Sequence, residues 1–315
     1  MPNSPLVFEA LPMERVWGGR RLESVLGRSL PNGTLVGESW EVVDRPDAQS
    51  VVHGGSLRGM TLHDLWSSRR EEIFGKKHKT NTAPRFPILV KILDARERLS
   101  VQVHPPADMA PSLHSEPKTE VWFFLDSLPG AKVYAGMKCG VTRDSFQSAI
   151  NNGHVEQELH EVPALTGGSI FIPSGRLHAI GEGNLIIEVQ QNSDTTYRVF
   201  DWNRLGLDGQ PRALHIEESL ASINFNDSEP AANIPGDPVI ADCPFFRVEE
   251  RPLPTPTDVR PADSFAIVAV IHGRVSCGEG SFSRGSFFLV PAGDEPFLIT
   301  PLEEKTSVLV ATLPA

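Results

Sequence analysis

Cysteine is scarce in this chain of 315 residues: three, at Cys139, Cys243 and Cys277, with no close spacing. An odd, scattered set excludes a disulfide framework and points to free thiols in a reducing compartment. Long uncharged apolar runs are missing too, and none approaches the roughly 18 residues of a membrane-spanning helix. The start, Met1-Pro2-Asn3-Ser4-Pro5, has neither the basic nor the apolar region of a secretion signal. The expectation is therefore a cytoplasmic protein without a membrane partner. Positive charge is in deficit, with 29 Lys and Arg against 40 Asp and Glu, a net −11. That balance argues against nucleic acid or an anionic membrane as the main partner, although a few local cations can still dominate a small pocket. Gly-rich phosphate loops, Ser-His-Asp arrangements and Cys-x-x-Cys pairs are absent as well.

What the chain does contain is punctuation. Its 27 prolines and 26 glycines separate many short, apolar, β-branched runs. Phe86–Leu93, Ser169–Pro173, Leu185–Val189 and Ala266–Ile271 read as strands, the continuous ones as strands covered on both faces. The expected class is mainly β, a sandwich or barrel with a few short helices. One helix is predicted from a Thr61 cap to a stop at Gly75, another from Thr142 to Gly153. The Pro-, Gly- and Asp-rich stretch 227–240 reads as a linker, which divides the chain into domains 1–230 and 231–315. A spaced pattern supports two related β domains: Gly167, Pro173, Gly175 and His178 in the first, Gly285, Pro291, Gly293 and Pro296 in the second. Pro296 stands where the first copy has a histidine.

Polar, ligand-capable side chains interrupt the apolar strands of the first domain. Gln102 and His104 are two apart in Ser100-Val101-Gln102-Val103-His104-Pro105, so an extended chain puts them on one face. Glu120 opens the run Val121–Leu125, where an unpaired carboxylate is costly. His178 follows a strand and turn. A lone histidine is usually a satisfied core or surface residue, but two histidines, a carboxylate and an amide oxygen together read as a divalent metal site. Zinc and non-haem iron both use such sets; a Lewis-acid role at an oxygen-rich, open position favours zinc. Arg198 alternates with apolar Tyr197 and Val199 and reads either as part of a solvated edge strand with structural ion pairs or as an anion anchor, with Lys118 a second cation beside Glu120. His53, His63, His78, His114, His154, His160, His215 and His272 read as structural or surface residues, and Lys76-Lys77-His78-Lys79 as a solvated loop.

These residues resemble the type I mannose-6-phosphate isomerases. The likeness runs through Val16-Trp17-Gly18-Gly19, Gly37-Glu38-Ser39-Trp40-Glu41, Lys91-Ile92-Leu93-Asp94-Ala95, Leu99–Pro105, Lys118-Thr119-Glu120, Ile172–Ala179 and Ser193–Arg198, about the first 225 residues. The resemblance implies two cupin-type jelly-roll domains, the first (1–230) catalytic and the second (231–315) degenerate and structural. It implies one Zn2+ per chain on Gln102, His104, Glu120 and His178. It places the catalytic arginine at Arg198 and matches Ser100, Lys118, Glu188 and Asp194 to other active-site positions. The implied reaction interconverts mannose 6-phosphate and fructose 6-phosphate through a cis-enediol, with Ser100, Lys118 and Arg198 contacting substrate and Glu188, Asp194 or a zinc-bound water as proton carrier. The chain lacks the helical insertion of longer family members, as in the compact bacterial form. The expected partner is a hexose phosphate, the expected assembly a monomer or weak homo-oligomer. Two rivals are an iron oxygenase of the cupin type and a sugar-phosphate-binding cupin without catalysis.

Overall fold

The computed structural model describes residues 4–314. It is mainly β, and the strands in chain order are β1 (Leu11–Gly19), β2 (Val36–Val42), β3 (Ile88–Ala95), β4 (Val101–Val103), β5 (Glu120–Ser127), β6 (Lys132–Met137), β7 (Leu159–Pro163), β8 (Ser169–Ile172), β9 (His178–Ile180), β10 (Asn184–Gln191) and β11 (Tyr197–Phe200). Beyond the stretch read as a linker come β12 (Val239–Asp242), β13 (Arg247–Pro252), β14 (Ala266–His272), β15 (Arg274–Cys277), β16 (Gly280–Ser283), β17 (Phe287–Val290), β18 (Ile299–Pro301) and β19 (Ser307–Thr312). All four apolar runs singled out above are strands. Every residue of β3 is buried, Lys91 and Asp94 included.

Two compact units divide the chain, and neither is continuous. One holds the described residues through Leu11 with Trp40–Lys91 and those from Gly236 onward; the other holds Pro12–Ser39 and Ile92–Pro235. The break at 235/236 lies within the stretch read as a linker, but residues 40–91 group with the C-terminal part rather than with the rest of 1–230. The linker itself is not loose. Ser228 bridges Met137, and Asn233 bridges Ser169 with backbone hydrogen bonds in both directions.

One sheet runs β1-β2-β3-β10-β5-β8, and a second, in the unit that carries most of the motifs, runs β11-β4-β9-β6-β7. Alternation on β5 turns Glu120, Trp122 and Phe124 to one face; Trp122 and Phe124 join Ile170, Ile172 and Ile186 in the core. In the other unit a sheet runs β12-β13-β19-β14-β17 and a second β16-β15-β18, around a core that includes Val268, Phe288 and Val310. The repeat seen in the sequence has a structural counterpart. The local orders β10-β5-β8 and β19-β14-β17 correspond. Gly167 and Gly285 lead into β8 and β17 with φ of 85° and 82°, which a side chain would strain.

The helix from Thr142 forms as expected, Arg143–Asn152, with Thr142 as a capping box and Gly153 left-handed at its end. The helix expected from Thr61 to Gly75 is instead two, Leu62–Ser68 and Arg70–Phe74. Ser68 Oγ donates to the Asp64 carbonyl at 2.6 Å, and Arg69 leaves helical geometry at φ −130°. Lys76–His78 is a short 3-10 turn in which Lys76 and Lys77, like Lys79 after it, are exposed as expected, whereas His78 is buried. Its Nε2 lies 2.9 Å from Ser264 Oγ and its ring packs edge-on to Phe265, beside Phe74, Phe86 and Trp66. All three cysteines are free; burial pushes the Cys277 thiol up to about 12.

Burial, aided by Lys77, lowers the His78 pKa below its ordinary 6.5. The neutral ring therefore contributes stability that is complete above pH 6.5 and is lost as pH falls through that value toward the lowered folded pKa. His78→Gln, which keeps a polar partner for Ser264, is expected to show a smaller drop in Tm between pH 7 and pH 5 than the wild type. About 1 kcal/mol of relief corresponds to roughly 2–4 °C. Identical pH slopes in the two proteins would rule out His78 as a source of the acid sensitivity.

Candidate metal centre

Three strands bring one row of side chains together. Gln102 on β4 stands directly opposite His178 on β9 and, on its other side, opposite Arg198 on β11. Directly paired residues share a face, so Arg198, Gln102 and His178 form a lateral row. On the neighbouring sheet Glu120 pairs with Gln190, and Trp122 with Glu188, on the interior face.

The turn Pro173-Ser174-Gly175 ties the row to the carboxylate strand. Gly175 is left-handed at φ 89°, and its N–H donates to the His104 carbonyl at 2.8 Å. The Thr119 hydroxyl lies 3.0 Å from that of Ser174 and accepts the Ser174 N–H at 3.2 Å. A side chain at Gly175 would meet Pro106 and the Ser222 carbonyl at 3.3 Å. The motif glycine thus permits the close approach that seats His178 beside His104 and Glu120.

His104, Glu120 and His178 offer ligand atoms that all lie within 4.8 Å of one another. All three are buried, with at most 1% exposure. Nε2 of His104 is 3.5 Å from Glu120 Oε2, and Nε2 of His178 is 3.5 Å from Glu120 Oε1. Nδ1 of His104 faces the Thr195 carbonyl at 2.8 Å and Nδ1 of His178 the Arg176 carbonyl at 2.8 Å. A carbonyl can only accept, so each ring carries its proton on Nδ1 and turns a lone pair on Nε2 toward Glu120. His104 Nε2 and both Glu120 oxygens are buried without a hydrogen bond. Buried polar atoms in this state are costly, and although Lys118 ion-pairs with Oε2, their convergence on one point suits a cation.

The electrostatics agree. Burial, with Lys118 second, drives the His104 pKa down to about 3, and burial likewise lowers that of His178. Both rings are held neutral, the form that ligates metal. Burial alone would raise the Glu120 carboxyl, but the Lys118 ammonium beside it holds it well below the usual range. Lys118 Nζ stands 3.0 Å from Glu120 Oε2 and 3.7 Å from Glu188 Oε1. The Trp122 indole N–H donates to Glu188 Oε2 at 3.2 Å, and its ring stands edge-on to His178.

Each residue singled out in the sequence can now be placed. Gln102 lies beside His178, its amide nitrogen 3.3 Å from His178 Nε2 while its oxygen accepts from Ser100 Oγ at 3.3 Å. Turning the amide over would aim the oxygen at the cluster. Lys118, Ser100 and Glu188 are buried in this region. Arg198 sits at the end of the row with Nη1 on the Ala213 carbonyl at 2.9 Å; burial and the nearby Arg212 lower its pKa. Asp194 is exposed, in the turn between β10 and β11. Sequence reasoning passed over Trp122, although its two-residue spacing from Glu120 on β5 put it on the same face. It also passed over the Thr195 and Arg176 carbonyls, which no side-chain pattern reveals.

Buried β sheets converge here on a His-Glu-His cluster whose ligand atoms could hold a metal ion. The sequence profile of the type I phosphomannose isomerase catalytic domain matches residues 8–123. The chain is 33% identical over 307 residues to the mannose-6-phosphate isomerase ManA of Bacillus subtilis, spanning 93% of this chain and 95% of that one. Its fold superimposes on the crystal structure of the mannose 6-phosphate isomerase from Bacillus subtilis with a TM-score of 0.85, at 28% identity, covering 98% and 99% of the two chains. A mannose 6-phosphate isomerase crystallised with zinc and yttrium shares the fold at a TM-score of 0.75 and 16% identity, covering 99% and 100%. The chain belongs to the mannose-6-phosphate isomerase family.

Loss of one ligand should uncouple metal from fold. His178→Ala is expected to reduce bound divalent metal to near zero by elemental analysis while far-ultraviolet circular dichroism keeps its β signature. Full metal content in that variant would show that His178 is not a ligand.

Proposed function

We propose that this chain is a zinc-dependent aldose–ketose isomerase that interconverts mannose 6-phosphate and fructose 6-phosphate through a cis-enediol. The observation that carries the reading is the row Arg198–Gln102–His178 facing Glu120 and His104 in a family member. Gln102, His104, Glu120 and His178 would hold one zinc ion in the first of two cupin-type domains. When bound, zinc supplies a Lewis acid for a substrate hydroxyl and carbonyl.

The chain's own residues account for the remaining chemistry. With the sugar ring open, a proton leaves C2 and the oxygen on C1 gains one as the enediol forms; C1 then receives a proton while the hydroxyl on C2 gives up its own and becomes a carbonyl. Arg198, fully charged and aligned with the ligand row, offers donors to the oxygens on which negative charge develops. Glu188 is the carboxylate suited to carry the proton, because it is buried within reach of Lys118 whereas Asp194 is exposed. Lys118 and Ser100 would hold sugar oxygens. Two carboxylates already flank the Lys118 ammonium, which disfavours a phosphate dianion there. The same reading makes the protein a cytoplasmic monomer or weak homo-oligomer. It makes the β domain 231–315 structural, since that copy of the repeat has Pro296 in the place of His178.

A coupled assay for fructose 6-phosphate formation, with and without chelator, tests the proposal. Turnover is expected to vanish on chelation and return with zinc; a fully metallated protein without turnover would end the isomerase reading. Arg198→Ala is expected to keep its zinc and lose about 100–1,000-fold in kcat, the scale of removing a preorganised donor to a developing oxyanion. Loss of zinc in that variant would mean that Arg198 supports the metal rather than the reaction.

A further inference from the structure

The segment that follows β11 is knotted around one buried carboxylate. Asp201 is 6% exposed. Its Oδ1 accepts from Arg204 Nη2 at 2.7 Å and from Arg212 Nη2 at 2.5 Å, and its Oδ2 accepts from Arg212 Nε at 2.6 Å. Arg212 is thus held through two nitrogens, the strong geometry for this pair.

The two arginines lie on opposite arms of the strap 201–215. On the outgoing arm, Arg204 Nη1 donates to the Arg98 carbonyl at 2.6 Å, and Trp202 Nε1 to the Leu99 carbonyl at 2.6 Å. The Arg98 guanidinium also stacks on the Trp202 ring at 3.8 Å. These contacts fasten the arm to the backbone immediately before Ser100 and Gln102. Trp202 and Asn203 are both left-handed, with φ of 56° and 55°. Two consecutive residues with side chains persist in that region only where the surroundings impose it.

The returning arm runs back along β11. The His215 N–H donates to the Arg198 carbonyl at 2.8 Å, and the Arg198 N–H donates to His215 Nδ1 at 3.3 Å. Ala213, next to the clamped Arg212, offers the carbonyl that receives Arg198 Nη1 at 2.9 Å. Arg198 Nε remains buried without a hydrogen bond. The guanidinium is therefore held on one side by the strap and has a donor left for another partner.

We propose that Asp201 is a positioning residue for Arg198: by binding Arg204 and Arg212 together it closes the strap against β11 and sets the Ala213 carbonyl that orients the Arg198 guanidinium. Asp201 touches neither substrate nor metal, and its effect passes through Arg198. The inference rests on the isomerase reading given above.

Asp201→Asn keeps the shape and removes the charge that draws the two arginines together. It is expected to lower kcat about 10–100-fold, the scale of misplacing a catalytic group by about 1 Å. KM should stay within about 3-fold and zinc content close to wild type, since the metal ligands do not move, while Tm falls with the loss of the buried ion pairs. The decisive comparison is the double-mutant cycle. In an Arg198→Ala background, Asp201→Asn should cost less than about 2-fold more, because its target is gone. Wild-type kcat in Asp201→Asn, or an equal fold-loss in both backgrounds, would overturn the positioning role. If Asp201→Asn does not fold, Arg212→Gln opens the returning arm alone and is judged by the same two criteria. An inactive wild type would remove the isomerase reading and this inference with it, whereas an active wild type beside an unimpaired Asp201→Asn removes only the latter.

Discussion

A negative charge buried in an apolar barrel governs this structure. The Glu120 carboxylate, at 1% exposure, lies on the face that also carries Trp122 and Phe124. Desolvation opposes its ionisation, and the chain counters with the Lys118 ammonium, 3.0 Å from Oε2, while the neutral imidazoles from β9 and the end of β4 turn their lone pairs to the same point. Much of the local architecture follows from that need. The His104 and His178 rings are fixed through Nδ1 by backbone carbonyls, so their lone pairs can serve the carboxylate's side of the site. Lys118 is shared between Glu120 and Glu188, and Trp122 secures the second carboxylate. Each group is expensive where it stands and is stabilised by the next.

The duplicated strand arrangement shows how one scaffold supports different contents. Both units contain a glycine-led strand, β8 or β17, beside a long central strand, and both place another long strand on the far side. Around β14 the interior is apolar, built from residues such as Val268 and Phe288. Around β5 it contains charge. Where the first copy has His178 the second has Pro296, which offers no imidazole, while the strand-and-turn plan is kept. Fold and site are thus separable here, and function belongs to the side chains added to the barrel.

Legibility in the sequence followed the range of the interactions. Short apolar runs bounded by Pro and Gly marked β3, β8, β10 and β14 because strand formation draws on neighbouring residues. The Thr142 cap and Gly153 stop were equally local and equally readable. The helix expected across 61–75 breaks at Arg69, whose φ of −130° leaves helical geometry, a local departure that propensity does not record. Gln102 and His104 were visible as a pair from the two-residue period, and Lys118 and Glu120 in the same way. The exposure of Asp194 and the burial of Glu188 were not visible, since both depend on which sheet covers which strand end.

The sequence by itself determined the β class, the places of several strands and the identity of the ligand-capable side chains, because each of these is a property of a few adjacent residues. Only the tertiary structure decided that His104, Glu120 and His178 meet within 4.8 Å, which requires register between strands up to 76 residues apart. It also decided that residues 40–91 pack with the C-terminal part, and that Asp201 knots a strap onto the strand of Arg198. Those outcomes rest on long-range pairing and burial, and a linear pattern holds no measure of either.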